Sequence, residues 1–246
     1  SQEEYLSILV ERELSSQQLP VEDRWILSRL SRTISTVNRL MENFQFGEAQ
    51  RQIYDFLWGE FCDWYIELAK IRLRSGVETL SPTPVLVHVL ETSLRLLHPY
   101  MPFVTEELWQ NLKRRLSPNW QATESIMVTT YPEADETTID SEAERVMESV
   151  IEIVHSIRNA RAQYKVESAR WIEAQIYAGE LTPTILPYTE TIQTLARAKP
   201  VTFLGSRPES RHGENTLVLV LRESEVVIPM ESMVNLEAEK KRLLKE

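Results

Sequence analysis

Glycine is scarce in this sequence, cysteine nearly absent, and long apolar runs are missing. Six glycines in 246 residues are about a third of average usage, which is roughly 7%. No GxGxxG, GxxxxGKS, GxxxxGKT or GxSxG occurs, so the glycine loops that cradle phosphates or present a nucleophilic serine are excluded. A single Cys62 cannot form an internal disulfide, and the opening Ser1-Gln2-Glu3-Glu4 is acidic where a secretory leader would be basic and then apolar. Both features point to a reducing, cytoplasmic compartment. Apolar runs such as Leu217 to Leu221 fall far short of the roughly 20 residues that cross a bilayer, so no membrane partner is expected. The four histidines, His88, His98, His155 and His212, have no cysteine or second histidine at ligand spacing, and structural roles are expected for all of them rather than a metal site.

What is present is a helical pattern. Ile26, Leu30, Ile34, Val37, Met41 and Phe44 recur at spacings of 3 and 4, one face of a helix with Asp23 at the N-cap position. Opposite that stripe stand Arg24, Arg29, Arg32 and Arg39, and no acid falls between Asp23 and Glu42. Residues 46–74 are apolar on most of their circumference, with Ile53, Leu57, Phe61, Trp64, Leu68 and Ile71 on one face and Tyr54, Trp58, Cys62 and Tyr65 beside it. Such a helix belongs at the centre of a bundle, with Trp58, Trp64 and Tyr65 in the core. A third helix begins near Pro84 and stops before Pro99. A fourth runs from Pro102 to about Leu116 through Val104, Leu108, Trp109 and Leu112.

Glu133 to Glu144 holds six acids and no base, which predicts a solvated linker or an exposed helix start. A fifth helix follows with Val146, Val150, Ile153 and Ile157 on its core face and Arg158, Arg161 and Lys165 at its end, where cations suit the helix dipole. The period then changes to two: Ile172, Ala174, Ile176 and Ala178 alternate with Trp171, Glu173, Gln175 and Tyr177, a strand pattern. A helix over about residues 183–198 and strands at 201–204, 216–221 and 225–229 complete a small α+β unit, the last two strands forming a hairpin around Arg222-Glu223-Ser224. Met233, Leu236, Lys240 and Leu243 stand at heptad-like spacing. The expected organisation is an unassigned segment 1–20, a helix bundle 21–132, an acidic linker 133–144, a helix plus α+β domain 145–232, and the start of a coiled coil at 233–246.

Chemistry is harder to find. Cys62 lies among aromatics, where a thiol is ordinarily inert. Glu106 and Glu107 sit near a helix start, where negative charge is favoured, and Asp63 and Glu67 are partners for Lys70 and Arg74 at helical spacing. The Arg face and the Arg158, Arg161, Lys165 and Arg170 group are either solvated charged surface or a local RNA site. The absence of acids over residues 24–41 and the neighbouring Phe44 and Phe46, suited to stacking on unpaired bases, favour the second. A net charge of -10 opposes indiscriminate nucleic-acid binding but leaves room for one structured RNA.

Asp23-Arg24-Trp25-Ile26-Leu27-Ser28-Arg29-Leu30, Phe46-Gly47-Glu48-Ala49, the run from Trp58 to Lys70, and Leu97-His98-Pro99-Tyr100-Met101-Pro102-Phe103-Val104-Thr105-Glu106-Glu107-Leu108-Trp109 together resemble the anticodon-binding region of class I aminoacyl-tRNA synthetases for branched aliphatic amino acids. Phe61-Cys62-Asp63-Trp64-Tyr65-Ile66-Glu67 is similar to the valyl members of that family. Ser156-Ile157-Arg158-Asn159-Ala160-Arg161 and the Asn235–Glu246 stretch resemble the segment after their bundle and the opening of their coiled-coil arm. The likeness runs from about Val21 to the last residue. It departs at Val166-Glu167-Ser168, where the family commonly has Val-Pro-Pro, so a different turn into the first strand is expected.

The resemblance implies an anticodon-binding helix bundle, a small α+β domain and the beginning of a coiled coil, with tRNA(Val) as partner and no DNA. It also implies a full-length enzyme that attaches valine to tRNA(Val) with ATP. The His-Ile-Gly-His and Lys-Met-Ser-Lys-Ser signatures are absent, so no catalysis is expected of this chain and no cofactor in it. The missing initiator Met and the helical pattern running to Glu246 suggest an excised piece. Arg24, Arg29, Arg32 and Arg39, with Phe44 or Phe46 as stacker, are the first candidates for tRNA contact, and Arg158, Arg161 and Lys165 the second. A monomer is expected. The competing reading is a synthetase-derived protein-interaction scaffold that binds no RNA.

Overall fold

The computed structural model describes residues 19–74, 81–116, 123–206 and 215–233. The chain divides into two compact units, Ser1–Glu144 and Arg145–Glu246.

The first unit is a helix bundle. Helix α1 (Val21–Glu42) buries Ile26, Leu30, Ile34 and Val37, each at most 5% exposed, as their spacing predicts. It also buries Leu27, Ser28, Ser31 and Thr33, so the face expected to be wet is covered. Asp23 is not the N-cap. The helix is preceded by Pro20, whose carbonyl accepts from the amides of Asp23 and Arg24, and the Asp23 side chain is wholly buried. Tyr65 donates its hydroxyl to Asp23 at 2.6 Å, and Arg72 binds Asp23 and Glu22 at 2.8 Å each. Burial and the neighbouring Asp23 carboxylate push the Tyr65 hydroxyl far above its usual range.

The predicted central helix is present as α2 (Phe46–Phe56), a π-helical stretch (Leu57–Tyr65) and α3 (Ile66–Arg74). Wider π turns shift the register of the side chains. Phe61, Trp64 and Tyr65 therefore point inward, while Trp58, expected in the core, is 51% exposed beside Tyr54 at a ring separation of 6.2 Å. Helices α4 (Thr83–Leu97) and α5 (Pro102–Arg115) follow the predicted bounds closely. On α5 only Thr105 and Trp109 are buried, and Val104 and Leu108 lie about half exposed. Trp109 packs with Leu94 and Ile126. Glu106 ties that packing down. It accepts from Gln110, Ser125 and the Ile126 amide, and these bonds, Gln110 first, hold its carboxyl below the usual carboxylate range.

His88 on α4 lines a groove with Leu30, Ile34, Arg95 and Tyr131. Burial, assisted by the Arg95 charge, lowers its pKa to about 4. The folded imidazole thus stays neutral over a range where the unfolded one, near pH 6.5, takes a proton. The unfolded state binds more protons, so stability is lost as pH falls from about 6.5 towards 4, by roughly 3 kcal/mol over that window. Urea unfolding of wild type and His88→Gln at pH 7 and pH 4 should show the gap between them closing by about that amount. A pH-independent gap refutes it.

The second unit pairs helix α6 (Ser141–Gln163), whose first turn is counted with the first unit, with a four-stranded sheet. Val146, Val150, Ile153 and Ile157 are all at most 2% exposed, the face that their spacing marks. Strands β1 (Ile172–Tyr177), β2 (Ala198–Phe203), β3 (Thr216–Val220) and β4 (Glu225–Pro229) lie in the order β2-β1-β4-β3. β1 and β2 are parallel, and the other pairs are antiparallel. Ile172, Ala174 and Ile176 are buried, matching the alternation. The predicted hairpin is the β3–β4 pair. The helix expected over 183–198 is broken into α7 (Thr182–Ile185), a 3-10 turn (Leu186–Tyr188) and α8 (Thr189–Ala196), because Pro187 supplies no amide hydrogen. A short α9 (Met230–Met233) follows β4. The expected coiled coil lies outside the described residues beyond Met233. No described helix is long and apolar enough to cross a membrane.

Candidate nucleic-acid interface

The Arg face of α1 is not an open basic surface. Arg24 pairs with Asp140. Arg29 grips Glu60 with two bonds, at 2.7 and 2.8 Å, and Arg32 pairs with Glu144 at 2.7 Å and reaches Ser141 at 3.2 Å. Ser28 donates to Glu144, Ser31 to the Asp135 carbonyl at 2.7 Å, and Asn38 to the Pro132 carbonyl at 3.0 Å. The acidic stretch Glu133–Glu144 keeps Glu133, Asp135, Glu136 and Glu142 exposed, with α6 starting at Ser141 as the alternative of an exposed helix start has it, but turns Asp140 and Glu144 onto Arg24 and Arg32. It lies in the first unit, with three of the four arginines engaged by carboxylates, so Arg24, Arg29 and Arg32 are corrected from first candidates for tRNA to largely neutralised positions. Acid-free and base-free segments far apart in sequence have found each other.

Arg39 is different. It is exposed, one turn from the end of α1, and forms no ion pair among the described residues. The chain then turns sharply. Phe44 takes a positive φ of 59°, and the amides of Asn43, Phe44 and Gln45 close on the carbonyls of Arg39, Met41 and Leu40. Phe44 is left 80% and Phe46 48% exposed, their rings edge to face at 6.0 Å. Tyr100 fixes the turn from outside by donating to the Phe46 carbonyl and to Met41 Sδ, each at 3.0 Å. Three residues beyond Tyr100, Phe103 is 89% exposed at the start of α5, with Met101 at 44%. No periodicity in the sequence marks Phe103 as a surface aromatic. The signal for it is the pair of prolines, Pro99 and Pro102, that hold the turn before it. Two exposed phenylalanine rings on a hydrogen-bonded turn, with an unneutralised arginine on the preceding helical turn, suit the π-faces and phosphates of single-stranded nucleotides.

The second candidate group separates as well. Arg161 is 8% exposed and donates to the carbonyls of Arg170 at 2.8 Å, Arg197 at 3.2 Å and Glu167 at 3.1 Å. It is a structural clamp and not a surface group. That clamp, with the Val166 amide on the Arg161 carbonyl, shapes the turn through Val166-Glu167-Ser168 that leads to β1. Arg158 reaches the Leu195 carbonyl at 2.9 Å, and Lys165 is exposed with φ 52°.

No group of three or more His, Cys, Asp or Glu side chains that could hold a metal occurs among the described residues. Burial pushes the Cys62 thiol up, away from thiolate chemistry.

Residues 23–176 match the family described as the anticodon-binding domain of tRNA ligase. A valine–tRNA ligase of Dehalococcoides mccartyi is 54% identical over 225 residues, 92% of this chain and 25% of that protein. The valine–tRNA ligase of Listeria innocua is 38% identical over 230 residues and that of Bacillus cereus 36% over 227, with the same shares covered. The chain spans about a quarter of the length of these relatives.

Proposed function

Because this chain belongs to the family of anticodon-binding domains of tRNA ligases, we propose that it binds tRNA(Val) and reads unpaired anticodon bases with the turn carrying Phe44 and Phe46, Arg39 holding the backbone beside it. The observation that carries the reading is the exposure of Phe44, 80%, in a turn that Tyr100 and three backbone hydrogen bonds hold in place. Apart from its edge-to-face contact with Phe46, a ring so exposed buries little surface in the fold, and anticodon bases offer unpaired π-faces for it. Valine attachment with ATP is assigned to a full-length ligase and to sequence this chain does not span, since neither ATP signature of the class I enzymes occurs here.

Filter binding of the full chain to tRNA(Val) and to a transcript with a changed anticodon tests this. The changed anticodon should bind more weakly, and Phe44→Ala should weaken tRNA(Val) binding by about tenfold, one stacked base being worth roughly 1–3 kcal/mol. Equal affinity for the two transcripts, together with an unaffected Phe44→Ala, overturns the reading. A stable protein partner co-purifying from a preparation that binds no tRNA would establish the scaffold instead.

A further inference from the structure

The second unit gathers positive charge that meets no carboxylate among the described residues. Helices α6 and α8 both end beside the starts of β1 and β2. Lys165 follows α6, Arg170 precedes β1, Arg197 closes α8 in the left-handed region at φ 51° and ψ 48°, and Lys199 is exposed on β2. Arg161 holds this junction together from inside through the carbonyls of Glu167, Arg170 and Arg197. Arg197 returns a bond to the Ser168 carbonyl at 2.8 Å, and Arg170 reaches the Glu231 carbonyl at 3.0 Å.

Every one of these bonds ends on a main-chain carbonyl and none on a carboxylate. The ion pairs described within this unit, Arg145–Glu223 and Arg222–Glu148, involve none of the five cations. Burial holds the Arg161 guanidinium below its usual range, and the like charge of Arg197 beside it adds to that in smaller measure. On α1 the opposite holds, since carboxylates cancel three arginines. The convergence of two helix C-termini accounts for some of the attraction of cations to this place, but half a charge at each end does not offset five. Arg161 spends three bonds on carbonyls, but Arg170 and Arg197 spend one each and keep their other N–H groups, and the two lysine side chains are unencumbered among the described residues.

We propose that Lys165, Arg170, Arg197 and Lys199 form a second RNA-binding surface, located within the α+β unit, that grips the sugar–phosphate backbone and does not read bases. The inference rests on the reading of the chain as a tRNA binder. It differs from the turn at Phe44 in chemistry: there are donors without acceptors, which fit phosphate oxygens on any sequence.

The test is Lys165→Gln/Lys199→Gln in the full chain. Neither lysine side chain bonds another described group, and the main-chain bonds are untouched by Gln, so thermal unfolding should not change. Affinity for tRNA(Val) and for the anticodon-changed transcript should fall by the same factor, on the order of tenfold or more at 0.1 M salt. The slope of log affinity against log salt should become shallower by about 2, close to 0.9 for each phosphate that is no longer neutralised. Unchanged affinity and slope, with anticodon discrimination intact, overturn the surface and leave the base-reading turn standing. Loss of affinity in the double variant from a wild type indifferent to the anticodon does the reverse. A wild-type chain that binds neither transcript overturns both.

Discussion

Replacing Arg72 by Met is expected to destabilise the first unit by about 3–5 kcal/mol, the usual cost of removing one partner from a buried ion pair. Asp23 is 0% exposed and sits between Arg72 at 2.8 Å and the Tyr65 hydroxyl at 2.6 Å. Without Arg72 the carboxylate remains in the core with one neutral donor and nearby Glu22. Arg72 in turn has given up much of its hydration to burial, yet the hydrogen bond and the charges of Asp23 and Glu22 raise its pKa above the ordinary arginine value. The network also locks α1 to α3 at their adjoining ends, so its removal frees the first turn of α1. Urea denaturation of Arg72→Met and of Asp23→Asn/Arg72→Met separates the contributions. The double variant should recover much of the stability, because the stranded charge is gone. A single variant within 1 kcal/mol of wild type would mean the pair is not the constraint described.

Arg161→Ala should cost the second unit about 3 kcal/mol, since charge-assisted bonds to three carbonyls disappear together. Two of these carbonyls, at Arg170 and Arg197, flank the starts of β1 and β2, and the Arg197 carbonyl also accepts from the Ile172 amide at 3.3 Å. The clamp therefore sets where the parallel pair begins. Arg161→Lys should not restore stability, because one ammonium cannot span the fork that reaches three acceptors. Thermal unfolding followed by circular dichroism measures both. A folded, equally stable Arg161→Ala that binds tRNA poorly would return Arg161 to the RNA surface that its sequence neighbours suggest.

The candidate site was partly legible in the sequence. Phe44 and Phe46 stand out as aromatics next to a basic helix, and Arg39 as its last cation, and all three remain exposed in the fold. Trp58 misled because its spacing to Cys62 and Tyr65 is helical only if the helix keeps its ordinary pitch, and the π turns over Leu57–Tyr65 change which residues face inward. Arg197 carried no signal at all. It is 36 residues from Arg161, and nothing local links a helix-ending arginine to the clamp that shares its carbonyl.

From the sequence alone came the helices, their buried faces and the alternation of β1. Ile26, Leu30, Ile34 and Val37, then Val146, Val150, Ile153 and Ile157, then Ile172, Ala174 and Ile176 are all buried as their periods require, because periodicity is a property of near neighbours along one element. The meaning of the charges came only from the tertiary structure. Arg24, Arg29 and Arg32 look identical in sequence to Arg39, yet the first three meet Asp140, Glu60 and Glu144 and the fourth does not. An electrostatic partner is chosen by distance through space, to which residues 112 positions apart, such as Arg32 and Glu144, are as close as 2.7 Å.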